Sequence, residues 1–197
     1  QAARDDVLSH NAKPGVSYKK TLNQFSDWTA EEFKAIQGYH KAVGRHTLAT
    51  RAAKETFQST GKALPASVDW RPYLSAIKDQ GRCGSCWAFA STATVEAHAA
   101  IASDGEIWDL SPQQLVSCST NPDECGGIGG CDGSIAQLAY DYLAQNGMTE
   151  AFMYGYATET YWGQSNGTCR FEPNISKGGT PVVVDIDDHV SLPHNNQ

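Results

Sequence analysis

Three absences narrow the field before any motif is read. No apolar run is long enough to cross a bilayer, so the sequence offers no helical membrane segment. Basic residues form no dense cluster interleaved with aromatics, which removes the footprint of a nucleic-acid binder. No internal repeat is evident, which excludes solenoids and arrays. Nothing marks a metal or cofactor site either. The pair Cys83 and Cys86 has zinc-like spacing, but the second half of a zinc ligand set is missing, and no redox-type βαβ pattern surrounds it.

What is present is 197 residues, enough for one domain or a domain plus a tail. Charge is divided unevenly. Residues 1–63 carry ten Lys and Arg against six Asp and Glu, whereas residues 64–197 carry five against sixteen. The two parts are therefore electrostatically complementary, although scattered solvent-facing charge can produce the same imbalance. Six cysteines point to an oxidising compartment. Asn166-Gly167-Thr168 and Asn174-Ile175-Ser176 are glycosylation sequons, each weak alone, which together with the cysteines favour the secretory route.

The informative string is Gln80-Gly81-Arg82-Cys83-Gly84-Ser85-Cys86-Trp87-Ala88-Phe89-Ala90. A Gly-rich turn gives way there to an Ala-rich stretch without Gly or Pro, through Ala102. This predicts a helix with Cys86 in its first turn, facing the positive end of the dipole, a setting that favours thiolates. Gln80, six residues upstream, is a side-chain donor suited to a developing oxyanion. Gly81 and Gly84 permit close approach of a substrate backbone. Three capping boxes predict further helices: Thr29-x-x-Glu32, closed by Gly38; Ser111-x-x-Gln114, with Pro112 at the first helical position; and Ser134-x-x-Gln137. The last predicts a helix from Ile135 to about Gln145, ended by Asn146-Gly147, with Leu138, Ala139 and Tyr142 on one apolar stripe.

Cys83-Gly84-Ser85-Cys86-Trp87 fits the C-G-[SA]-C-[WY] pattern of papain and cathepsin nucleophiles. Through this string the chain resembles the papain family, cathepsin L-like zymogens above all. Leu64-Pro65-Ala66-Ser67-Val68-Asp69-Trp70-Arg71 resembles the start of a mature enzyme, and Leu110 to Cys118 resembles the segment carrying its second disulfide cysteine. Gly130-Cys131-Asp132-Gly133-Ser134 resembles its glycine-rich substrate strip. Asn23, Phe25 and Asp27, followed by Thr29 to Phe33, resemble the inhibitory propeptide.

The resemblance implies an α+β, papain-like fold, here the mainly helical left-hand domain (64–197) with a partial inhibitory propeptide (1–63) and without the C-terminal β-rich domain. It implies a cysteine endopeptidase made as an inactive precursor, with no cofactor. Cys86 is the nucleophile and Gln80 the oxyanion donor. Gly84, Trp87, Gly133, Ser134, Ile135 and Ala136 border the substrate, with Trp87 also packing beneath the Cys86 loop, as much structural as functional. Disulfides Cys83–Cys131 and Cys118–Cys169 follow by the same resemblance, leaving Cys125 over. The partners implied are protein or peptide substrates and the chain's own propeptide, whose stretch from His40 to Ala63 lies across the cleft. The compartment implied is lysosomal or vacuolar, or extracellular. Processing between Ser59 and Leu64 is expected to quicken in acid, with Asp27 accepting hydrogen bonds that hold the prosegment.

Two departures stand out. Ser134 occupies a family glycine position, keeping the backbone N–H and C=O but adding a Cβ. The family's His and Asn, expected about 130–150 residues after the Cys, have no counterpart; His98, His189 and His194 read as surface residues. The chain is accordingly read as a truncated zymogen, inactive by itself. The alternatives are a non-catalytic secreted papain-like binding or storage protein, against which the intact Cys86 argues, and a free-standing propeptide-like inhibitor, against which residues 64–197 argue.

Overall fold

A computed structural model describes residues 1–40, 63, 65–173 and 179–190. The chain divides into two compact units, Gln1–Ala35 and Ile36–Gln197.

The first unit starts with α1 (Ala2–Ala12), which buries no residue. Polar contacts, not a core, return the chain along it. The Asn11 side chain donates to Lys20 O (2.8 Å) and accepts from Lys20 N–H (2.8 Å), and Lys20 pairs with Asp6 at 2.7 Å. The Lys20 ammonium holds the Asp6 carboxyl below its ordinary range. The next turn is built by Asn23, whose Oδ1 accepts from Phe25 N–H (3.0 Å) and Ser26 Oγ (3.2 Å). Asp27, expected to accept hydrogen bonds that hold the prosegment, is exposed and takes no part in this turn, which the Asn23 side chain closes locally. The Thr29 capping box is reciprocal: Thr29 N–H donates to Glu32 (2.7 Å) and Glu32 N–H to Thr29 (3.1 Å). It opens α2 (Ala30–Ala35), which stops three residues before Gly38.

The second unit is organised by α3 (Cys86–Ala102), α4 (Pro112–Cys118) and α5 (Ala136–Asn146), followed by the short α6 (Thr158–Tyr161). Its core gathers Trp87, Ala88 and Val95 of α3, Leu115 and Val116 of α4, and Ala139 and Leu143 of α5, around Leu110 and Met148. Among the described residues there is no strand, only isolated bridges such as Gly84 to Asp132 and Met148 to Val184. No helix of the described residues is long and apolar enough to cross a membrane. Each fully buried Leu or Met contributes about 1.5–3 kcal/mol. Helix α5 buries the i, i+4 pair Ala139 and Leu143, while Leu138 and Tyr142 lie at the margin of that stripe, half-buried.

Helix ends follow local chemistry, with one exception. Ser111 Oγ accepts from Gln114 N–H (3.1 Å) and Pro112 takes the first position of α4. Gly147, at φ 66°, closes α5 by donating to Leu143 O. The Ser134 box does not form. Ile135 is the N-cap of α5, so Ser134 lies one residue too early for its hydroxyl to cap the helix, and its backbone N–H pairs with Gly38 O instead.

Buried polar groups tie these elements together. Gln114 donates to Gly147 O (3.0 Å) and Tyr142 Oη (3.2 Å) and accepts from Thr149 N–H (3.0 Å). Glu96, 2 % exposed, accepts from Ser75 Oγ (2.6 Å), Lys78 Nζ (2.7 Å) and Leu110 N–H (2.7 Å). Lys78 also pairs with Asp109 at 2.6 Å. Burial alone would lower the Lys78 ammonium, but the Asp109 and Glu96 carboxylates outweigh it and hold it above its ordinary value. That contribution is therefore present at neutral pH and is lost as pH rises through strong alkali. Removing one partner of a buried pair leaves unpaired charge and orphaned donors. Glu96→Ala is expected to lower stability by about 3 kcal/mol, read as a drop in urea midpoint. Glu96→Gln, which keeps an acceptor, should cost less; equal loss for both would contradict this account.

Candidate active site

The site is assembled on the turn that leads into α3. Asp79 Oδ1 accepts from Gly81 N–H (2.9 Å), and its Oδ2 accepts from the Tyr161 hydroxyl (3.1 Å). Arg82 N–H donates to Tyr161 O (2.7 Å). Tyr156 donates to Gln80 O (3.1 Å) and shares a hydrogen bond with Ser85 Oγ (2.9 Å). Ser85 is the N-cap of α3, its carbonyl accepting from Ala88 and Phe89 N–H. Cys86 is thus fixed at the first helical position, half-exposed and free of any disulfide. Tyr156 was not singled out from sequence. Its partners lie 71 and 76 residues away, beyond any local pattern.

The glycine strip lies alongside, held by disulfide and backbone. Disulfides join Cys83 to Cys131 and Cys118 to Cys169, the pairs the resemblance implies. Gly84 N–H donates to Cys131 O (2.9 Å). Trp87 is buried, and its indole N–H donates to Gly130 O (3.0 Å), so it supports the strip from beneath rather than lining it. Asn166 Oδ1 accepts from Cys131 N–H (2.7 Å), giving the first sequon a structural contact as well. Asn174, the second sequon, lies outside the described residues, as do most of the Ser59–Leu64 junction and His194.

A strap from Ile36 to His40 occupies this site. Gly38 N–H donates to Cys86 Sγ (3.2 Å). Gln80 Nε2 donates to Ile36 O (3.1 Å) and to Cys83 O (2.8 Å). Ser134 N–H donates to Gly38 O (3.1 Å), and Gly133 and Gly84 flank the same residue. Ile135 and Ala136 continue from the strip into the start of α5. Gly38, read from sequence as a helix stop, is instead the residue over the sulfur. A Cβ there would lie 1.9 Å from Gly84 O and 3.2 Å from Cys86 Sγ, so only glycine passes. The cleft is therefore met earlier than the expected stretch, residues 41–62 of which lie outside the described residues.

Among the described residues no histidine hydrogen-bonds Cys86, whose recorded partner is Gly38. His98 is exposed on α3; His189 is half-buried, its ring 5.6 Å from that of Tyr140 and 3.8 Å from the Asp141 carboxylate.

Comparisons with known proteins converge on one family. A family model described as papain family cysteine protease matches residues 64–197, and one described as cathepsin propeptide inhibitor domain matches residues 2–33. The chain is 35 % identical to thiol protease SEN102 of Hemerocallis sp., over 97 % of this chain and 50 % of that protein. It is equally 35 % identical to cysteine proteinase EP-B 1 of Hordeum vulgare, over 97 % and 49 %. It spans about half the length of these curated relatives. Among solved structures it is similar to digestive procathepsin L2 proteinase from the larval midgut of Tenebrio molitor. That match has a TM-score of 0.74 and 32 % identity, covering 98 % of this chain and 58 % of that one.

Two outcomes test this geometry. Gly38→Ala should displace the strap and raise the rate of Cys86 alkylation by iodoacetamide several-fold; an unchanged rate would show that the strap does not guard the sulfur. The second concerns Tyr156, whose hydroxyl is pushed up to about 12 by burial, with the Ser85 hydrogen bond opposing. An unfolded phenol ionises near pH 10, so the folded state loses stability as pH rises from about 10 through 12. Tyr156→Phe should remove part of that alkaline slope and cost about 1 kcal/mol at neutral pH, both readable in urea titrations at pH 7 and pH 11.

Proposed function

Given that the chain belongs to the papain family of cysteine proteases, with a propeptide inhibitor domain ahead of the protease region, we propose that it forms the first part of the self-inhibited precursor of a cysteine endopeptidase. The observation that carries this reading is the pair of contacts made by the strap: an N–H on the Cys86 sulfur and a carbonyl on the Gln80 amide. In the active protein the Cys86 thiolate attacks a scissile carbonyl carbon and Gln80 stabilises the oxyanion that develops. The strap offers those groups out of register. The nitrogen at the sulfur belongs to Gly38, and in a trans peptide the Gln37 oxygen points to the opposite side from that N–H. The oxyanion donor is meanwhile filled by Ile36, one residue earlier. Sulfur and donor are both satisfied, and neither is presented with the same carbonyl.

In this reading residues 1–63 are the prosegment and residues 64–197 the first domain of the mature enzyme. Gly84, Gly133, Ser134, Ile135 and Ala136 border the substrate. The full-length protein hydrolyses peptide bonds in proteins or peptides and enters the secretory route to a lysosome, vacuole or the exterior. Glycans at Asn166 and Asn174 accompany that route. The two disulfides support an oxidising compartment during folding.

Proton transfer by a positioned base contributes typically about 10²–10⁴-fold, and among the described residues no histidine hydrogen-bonds Cys86. This chain alone should therefore show no Cys86-dependent turnover of a peptide substrate, whereas the full-length protein freed of its prosegment should show turnover abolished by Cys86→Ala. Turnover by residues 64–197 that disappears in Cys86→Ala would overturn the first statement. Full-length activity that survives Cys86→Ala would overturn the second.

A further inference from the structure

The turn that carries Gln80 is gripped at both ends by one residue, Tyr161 of α6. Its hydroxyl donates to Asp79 Oδ2 (3.1 Å), and its carbonyl accepts from Arg82 N–H (2.7 Å). Gln80 and Gly81 lie between those two anchors. The fit is close: a Cβ at Gly81, whose φ is +62°, would lie 2.2 Å from Tyr161 O and 2.7 Å from the Tyr161 ring. Tyr161 is itself fixed. Its N–H donates to Ala157 O (2.9 Å), and its ring meets that of Trp162 edge-on, with centroids 5.4 Å apart. The Arg82 guanidinium lies 5.4 Å from the Trp162 ring centroid, a cation–π contact that ties the next residue of α6 to the same turn.

These contacts bear on the peptide unit between Gln80 and Gly81. It is planar and trans, so its C=O and N–H project from opposite edges. Tyr156 holds the C=O by donating to Gln80 O (3.1 Å), and Asp79 Oδ1 holds the N–H by accepting from Gly81 (2.9 Å). Asp79 is exposed, so several rotamers are open to it; the Tyr161 hydroxyl selects the one that reaches Gly81. The plane that follows Gln80 is therefore fixed on both edges, and with it the direction in which the Gln80 side chain leaves the backbone. The hydrogen bond to the Asp79 carboxylate keeps the Tyr161 phenol above its ordinary value, so the donor persists well past neutral pH. We propose that Tyr161 is a positioning residue for the oxyanion donor, acting through Asp79 on the peptide plane that follows Gln80. The proposal rests on the peptidase reading above.

The test uses the full-length protein freed of its prosegment and a peptide substrate. Tyr161→Phe keeps the ring and removes the hydroxyl. It should lower kcat about 10-fold with KM nearly unchanged, a part of the roughly 10²–10³-fold that a whole oxyanion donor supplies. In a Gln80→Ala background the same substitution should have almost no further effect, because the donor it places is gone. Alkylation of Cys86 by iodoacetamide forms no oxyanion and should keep its rate. An unchanged kcat, equal losses in both backgrounds, or a matching loss of alkylation overturns the proposal. If the unsubstituted protein shows no Cys86-dependent cleavage, the peptidase reading fails on that result alone, and a measurement that needs no cleavage decides the proposal. In this chain the Gln80 side-chain amide donates to Cys83 O (2.8 Å) and Ile36 O (3.1 Å), and should give one pair of NMR signals. Tyr161→Phe should broaden or double that pair; identical signals in the two proteins overturn the proposal.

Discussion

The Cys83–Cys131 bond is the constraint on which the rest depends. It joins the turn that presents Cys86 to the strip that pairs with an extended backbone, two segments 48 residues apart in sequence. Around it run the Gly84 N–H to Cys131 O bond, the Trp87 indole to Gly130 O bond, and the Asn166 contact to Cys131 N–H. Each acts on one side of the same seam. Move the strip, and the Gly38 carbonyl loses both its Ser134 N–H donor and the Gly133 packed beside it. The spacing between nucleophile and strip is therefore set covalently first and refined by hydrogen bonds second.

Polar side chains complete the framework where apolar packing is thin. α4 is only seven residues long, too short to be a stable helix in water without partners. It is held by Leu115 and Val116 in the core and by two buried glutamines, Gln113 and Gln114. Gln113 accepts from Ala157 N–H and donates to Asn166 O and Ser117. Gln114 reaches the end of α5 and the backbone at Thr149. Short helices and long loops are thus tied together, because backbone groups that the loops leave open at Gly147, Thr149, Ala157 and Asn166 find glutamine side chains. Tyr156 does the same for the Gln80 carbonyl, with its ring edge against Phe89.

Sequence made some of this plain and hid the rest for identifiable reasons. The Cys86 helix, the Thr29 and Ser111 caps and the Gly147 stop are short-range chemistry, and each was legible within four residues. The nucleophile string was legible because its glycines, cysteines and tryptophan must all occur at fixed spacing. Ser134 satisfied the same letter rule as Ser111, yet its backbone is committed to Gly38, a tertiary demand that overrides a local cap. Gly38 illustrates a second ambiguity. A glycine that ends a helix and a glycine that slips past a sulfur are the same letter, and only the 1.9 Å clearance separates the two uses. Tyr156 and Asn166 were missed or read otherwise because they act through side chain to backbone bonds, which leave no period in the sequence.

The same seam bears on redox chemistry. Cys86 lies three residues from a disulfide, and a thiolate is the species that attacks disulfides. The Cys83 sulfur, with no exposed surface, sits in the core with Trp87 and Ala88 while Cys86 faces the cleft. Exchange depends on access. A mild reductant that keeps Cys86 as a thiol therefore meets a bridge with one sulfur withdrawn from solvent, and a single compartment can sustain the reactive cysteine and the bond that positions it.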